Sequence, residues 1–426
     1  MVLAINAVSK RSTTAAHHKE MHVDGFRFDL APILGERDGQ YYVWENPKNT
    51  VLQEIIDDPV LKASNVRIIA EPWAAGGYDL GLSFNGPGNN DIGNGYGTRL
   101  GLFPAEADRP GVGWYEWNGR FRDWWRAFVN SDGWNLNSTE VRNGGFFLTG
   151  SQDWYAWNGR GPHTSVNFVT IHDGFTMYDL FSYNLKQNKC GPLNPICCSE
   201  PFSPFCEFES GESNNRSRDW GQANEPMKRQ LMRNLFVAMM VSHGTPMLYG
   251  GDEWMRTQLG NNNAYTTGGD NEFNWFDWGA WEANDEKHRM HDFISQLTRF
   301  RKEHLYALAP TDWGKGAPFA WKSPANDDNV NWNGKALMIH YYDATRGPEL
   351  AILINMEQGN VDFTLPQGRS WRRLLDTQSY FDLPSTLTTL NRPQRKSSNI
   401  ELDAPTPIPG AIYGVPGRSI ALLESR

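Results

Sequence analysis

From Val23 to about residue 306 the chain alternates short apolar segments with amphipathic helical ones, and from about Ala307 onward its apolar residues recur at every second position. The first pattern calls for parallel β–α units, because two parallel strands can be joined only through a crossover such as a helix. The second, broken by Gly, Pro and Asn, calls for antiparallel strands. At 426 residues the chain exceeds the size at which a single core stops growing. Three regions are therefore expected: 1–20 with no clear element beyond a helix end near His17 to Glu20, an α/β region over 21–306, and an antiparallel β-sandwich over 307–426.

Within the α/β region strands are expected at 23–30, 66–73, 114–119, 165–174 and 246–253, with helices at about 50–57, 121–130, 226–242 and 285–303. Asn49 or Thr50 is the expected N-cap of the first helix. The sandwich strands are expected at 336–342, 349–355, 361–365, 371–376 and 419–424. Residues 76–113 are rich in Gly and Asn and read as a long surface loop. No strand precedes their glycines and no GK[ST] follows, which argues against a phosphate loop.

Three of the apolar strands end in an acid: Asp29, Glu71, and Asp173 preceded by His172. In a parallel β–α barrel the chemistry sits at the C-terminal ends of the strands. Alternation along 25–29 puts Arg27 on the face of Asp29, where its charge favours an ionised carboxylate and hence a nucleophile. Glu71 is followed by Pro72 and Trp73, so desolvation can hold it protonated. One ionised and one protonated carboxyl are what retaining glycosidic cleavage needs. Any one strand-end acid can equally be a helix cap or a solvent-facing residue. Three of them, with an Arg and a His, weaken that alternative.

Composition narrows the partner. The net charge is −9 and Lys and Arg are scattered, which argues against a nucleic-acid or anionic-membrane surface. No apolar run reaches the roughly 18 residues of a membrane span, and the first fifteen residues lack a signal-type apolar stretch, so the chain reads as soluble. Eighteen tryptophans exceed what a core needs, and flat rings suit the apolar faces of sugars. All four cysteines, Cys190, Cys197, Cys198 and Cys206, fall in one Pro- and Ser-rich segment whose spacing fits no zinc pattern. They fit a disulfide-stapled loop, which leaves a secreted parent open, or free intracellular thiols, which leave the cytoplasm or a plastid open.

GFRFDLA at 25–31, IIAEPW at 68–73 and FVTIHDG at 168–174 resemble the second, third and fourth signature regions of the α-amylase superfamily of glycoside hydrolases. More narrowly, EWNGRFRDWWR, SVNFVTIHDGFTMYDLFSYN, GTPMLYGGDE and RTQLGNNNAYTTGGDNEFNWFDW are similar to isoamylases and glycogen-debranching enzymes. The resemblance implies a (β/α)8 barrel followed by a β-sandwich, and hydrolysis of α-1,6 branches in glycogen, amylopectin or related α-glucans with retention. It implies Asp29 as nucleophile, Glu71 as acid/base and Asp173 as transition-state stabiliser. Arg27 would stand beside the nucleophile, His172 would hold sugar hydroxyls, and Trp73 and Trp117 would line the glucan cleft, although both tryptophans also suit a core. No metal or organic cofactor is expected, because two carboxylates suffice for the double displacement.

One departure stands out. The superfamily's first signature, an Asp-Xaa-Xaa-Xaa-Asn-His segment, has no counterpart here, and Asp29 would end the fourth barrel strand. The expected fold is thus an incomplete TIM-type (β/α)8 barrel, strands 4 to 8, followed by an all-β sandwich, in the C-terminal portion of a longer enzyme, and the missing first strands leave open that the chain is inactive alone. Two other functions fit the same residues: an α-1,4-acting hydrolase or transferase, which the GNNNAY and EWNG segments disfavour, and a non-catalytic glucan-binding or regulatory fragment.

Overall fold

A computed structural model describes residues 2–5, 22–37, 40–44, 51–73, 100–101, 103–109, 111–138, 143–188, 211–264 and 273–425. Its first layer is a parallel sheet of six strands in sequential order: β1 (Val2–Ile5), β2 (Gly25–Phe28), β3 (Arg67–Ala70), β4 (Tyr115–Trp117), β5 (Ser165–Asn167) and β6 (Thr245–Pro246). The register sets Arg27 opposite Ile69 and Phe28 opposite Ala70. Alternation divides the strands between two cores. Phe26, Phe28, Ile68 and Ala70 point one way and pack on Leu52, Ile55 and Ile56 of helix α1 (Val51–Ile56). Ile69, Trp117, Val166 and Phe168 form a separate cluster on the other face, where Arg27 also lies. Each fully buried Phe, Leu or Ile contributes about 1.5–3 kcal/mol.

Three longer helices cover this layer: α2 (Gly119–Asn130), α3 (Glu225–Val241) and α4 (Asp285–Glu303). Asn118 caps α2 by accepting from Phe121 N–H, and Asn284 caps α4 by accepting from Lys287 N–H. A second, antiparallel sheet follows, built from β7 (Phe319–Lys322), β8 (Ala336–Tyr341), β9 (Leu350–Asn355), β11 (Trp371–Asp376), β12 (Thr406–Pro407) and β14 (Ser419–Ser425) in the order β12, β11, β14, β9, β8, β7. The pair β10 (Val361–Thr364) and β13 (Ile412–Val415) lies over one face of it.

Here the period of two has a structural meaning. Leu337, Ile339, Ile352, Ile354, Ile420 and Leu422 join the cluster that holds α3 and α4, while Met338, Leu353, Ala421 and Leu423 face Phe363 and Val415. One sheet thus binds the α/β layer on one side and closes its own sandwich on the other. A buried ionic knot reinforces the junction. Asp382 pairs with Arg229 and Arg233 of α3 and, at 2.7 Å, with Arg289 of α4. Burial pushes its pKa up, but the three guanidiniums outweigh this and hold it below the usual carboxylate range. Removing one partner of a buried ion pair costs about 3–5 kcal/mol. Asp382→Asn is expected to lower the free energy of unfolding by that amount in a urea titration; a loss under about 1 kcal/mol would mean that the three arginines find water or other acceptors.

Several expectations are corrected. Residues 1–20 were expected to lack an element, and the α/β region to hold five strands, yet Val2–Ile5 forms a sixth and pairs in parallel with β2. Four apolar residues are too few to show a period, so only the partner strand defines them. The expected strands at 165–174 and 246–253 shorten to Ser165–Asn167 and Thr245–Pro246, after which the chain turns and carries its acids outside the ladder. The short hairpin Glu36–Arg37 with Gln40–Trp44, and strands β7, β12 and β13, were not anticipated. The cysteine segment, the proposed cap at 49–50, the helix end near 17–20 and most of the 76–113 loop lie outside the described residues.

Candidate active site

Asp29 follows β2 directly, and the next residue, Leu30, has φ 42° in the left-handed region. That conformation is costly for a residue with a Cβ and here reverses the chain at once. Leu30 N–H donates to Glu71 Oε2 at 2.9 Å. The Glu71 backbone is pinned on both sides of this turn: its N–H donates to Phe28 O at 3.0 Å, and its carbonyl accepts from Ala31 N–H at 3.1 Å. Parallel pairing of β2 with β3 therefore brings the Asp29 and Glu71 carboxyls to one place.

Arg27 bridges them. Its Nη1 donates to Asp29 Oδ1 at 2.6 Å and its Nη2 lies 2.8 Å from Glu71 Oε2. Asp29 is 38 % exposed at its side chain, whereas Glu71 is 2 % exposed. Burial, the largest influence, pushes the Glu71 pKa up to about 8; Arg27 and the Leu30 N–H pull it down, and the Asp29 charge and a hydrogen bond with Asp29 raise it further. The site thus holds a buried carboxyl protonated at neutral pH beside a solvent-reached one that is ion-paired with Arg27.

The third acid arrives on the turn after β5. His172 Nε2 lies 3.4 Å from Asp173 Oδ2, and both side chains are more than one-third exposed. Donor atoms of Glu71, His172 and Asp173 all lie within 4.8 Å of one another. Three convergent donors are the minimum for a cation, which would have to displace the Glu71 proton that burial holds up to about pH 8. The cluster suits proton transfer and hydroxyl binding better.

The aromatics lie below these groups. Arg27 stacks its guanidinium 4.3 Å from the Trp117 ring centroid, and Trp117 also meets Trp73, Phe168 and His172. Trp117 is only 9 % exposed, so it supports Arg27 and His172 from the core instead of offering a face to a ligand. Trp73 is half-buried. Sequence reasoning had not singled out Arg122, in the first turn of α2, which lies near the Trp73 and Phe168 rings and in the field of Asp173. Its place in the EWNGRFRDWWR segment was the available signal.

No family model matches the chain. An isoamylase from a Flavobacterium species is 32 % identical over 95 % of this chain and 48 % of its own length. A glycogen operon protein GlgX homolog from Mycobacterium tuberculosis is 36 % identical over 84 % of this chain and 47 % of its own. The chain therefore spans about half the length of the curated relatives it matches. Among solved structures, a type I pullulanase from Bacillus subtilis, crystallised with maltose, superposes on 97 % of this chain with a TM-score of 0.59 at 18 % identity, and covers the α/β layer and the β domain together. A pullulanase from Bacillus acidopullulyticus matches 97 % of this chain with a TM-score of 0.58.

Proposed function

From the chain's homology to the isoamylases and GlgX-type glycogen-operon proteins, about half of whose length it spans, we propose that it carries the catalytic carboxylates of a retaining glycoside hydrolase acting on α-1,6 branches of glycogen, amylopectin or related α-glucans. The observation that supports this most is the pairing of a protonated, buried Glu71 with an ion-paired Asp29 across one arginine. Asp29 attacks the anomeric carbon while Glu71 gives its proton to the departing glycosidic oxygen. The resulting glycosyl ester at Asp29 is then cleaved by water, from which Glu71, now the base, recovers a proton. His172 holds sugar hydroxyls, and Asp173, which converges with it on Glu71, stabilises the positive charge that develops on the ring.

The parallel sheet is read as part of a (β/α)8 barrel, whose closure removes the edges that β1 and β6 otherwise present. The branched glucan is the only partner proposed. No described helix is long and apolar enough to cross a membrane.

Purified chain is expected to release linear maltodextrins from amylopectin and to leave linear amylose intact, as read by chain-length profiling of the products. Shortening of amylose would favour an α-1,4 activity instead. Glucan binding without hydrolysis, by a chain whose melting is cooperative, would favour a non-catalytic role.

A further inference from the structure

Strand pairing does not hold the turn that presents His172 and Asp173, since β5 ends at Asn167. Other contacts hold it, and they come from two distant segments. Asp252, fully buried, accepts from Thr170 Oγ1 and, at 2.9 Å, from Met177 N–H, so one carboxylate ties the residues on either side of the turn. At the apex Gly174, with φ 114°, donates its N–H to the Asn262 carbonyl at 2.9 Å.

Asn262 is itself saturated. Its N–H donates to Asn188 Oδ1 at 3.0 Å, its Oδ1 accepts from Asn188 Nδ2 at 2.8 Å, and its Nδ2 donates to Glu212 O at 2.6 Å and Asn215 Oδ1 at 3.0 Å. All of its polar atoms are used and it is fully buried. A buried amide satisfied in every direction has one orientation, and so does the carbonyl it presents to Gly174.

We propose that Asp252 and Asn262 are positioning residues that clamp the 170–177 turn from both sides and so set where Asp173 and His172 stand relative to Glu71; this rests on the reading of Asp173 as a group at the reaction centre. Neither residue touches the reacting atoms. Their effect is geometric, and displacement of a catalytic group by about 1 Å can cost on the order of 100-fold in rate.

Two variants of the full chain test this. Thr170→Val deletes one hydrogen bond at nearly constant volume, and Asn262→Asp removes the amide donors. Both are expected to speed amide hydrogen exchange at Gly174 and Met177 by about tenfold or more while leaving α4 unchanged. On glucan, kcat is expected to fall about 10- to 100-fold with KM within about twofold, and Thr170→Ser, which keeps the hydroxyl, to recover to within about twofold. Unchanged exchange at Gly174 and Met177 in both variants overturns the clamp. So does a kcat within about twofold of wild type in both while Asp173→Asn is inactive. Full turnover by Asp173→Asn would instead overturn the catalytic reading, and hydrogen exchange alone then decides the clamp.

Discussion

Asp29→Asn is expected to lower kcat on branched glucan by at least about 10⁴-fold, the order seen when a covalent nucleophile is removed. An amide cannot form the glycosyl ester, and Glu71 cannot substitute, because burial holds it protonated and the proposed mechanism occupies it with the leaving group. The fold should tolerate the change. The Asp29 side chain is more than one-third exposed, and its recorded ion pair is with Arg27, which keeps Glu71 as a second partner. A second effect follows from the coupling. The Asp29 charge is one of the influences that raise Glu71, so neutralising it should move the Glu71 titration down from about 8. Carboxyl-region infrared or NMR titration would show this even in an inactive variant. Wild-type turnover by Asp29→Asn would remove Asp29 from the mechanism altogether.

Glu71→Gln is expected to reduce kcat by about 10²–10⁴-fold, the range contributed by a positioned acid or base, and to change the pH dependence of stability in the opposite sense. Glu71 titrates near 8 in the folded chain, above its ordinary value of 4.5, chiefly because burial disfavours the charged form. A group raised on folding adds stability that is full below its unfolded pKa and is lost as pH rises through its folded pKa. Wild type should therefore lose stability between about pH 4.5 and 8, and the neutral glutamine should not. Melting temperatures of the two proteins should be similar near pH 4 and diverge in favour of Glu71→Gln by pH 9. Wild-type kcat should fall above about pH 8 as the proton donor is lost. If the two melting curves kept a constant offset across that range, Glu71 would not be titrating there and could not be the acid.

Legibility differed by element, for identifiable reasons. The helices at 119–130, 225–241 and 285–303 announced themselves through apolar residues recurring at helical spacing over several turns, although the second proves buried on all sides from Lys228 to Val241. The sandwich strands at 336–341, 350–355 and 371–376 were legible through their period of two, although that period alone did not show that all three share a sheet whose other face seats α3 and α4. Val2–Ile5 is too short to carry a pattern. Trp117 is an aromatic that suits a sugar platform and a core equally well by type, and its 9 % exposure, which only packing determines, places it under Arg27. Asp252 and Asn262 could not have been assigned, because the groups they hold lie up to 88 residues away along the chain, as Gly174 does from Asn262.

The identity of the chemical groups was a property of the sequence by itself. An arginine two residues before an aspartate, a glutamate after a second apolar segment, and a histidine beside an aspartate after a third are covalent facts, and alternation places the first two on one face. What only the tertiary structure decided is the division of labour among them. Local sequence contains no dielectric: Glu71 keeps its proton at neutral pH because parallel pairing with β2 carries it out of water and against Asp29 and Arg27, and that desolvation exists only once strands whose paired residues lie 42 apart have been brought together.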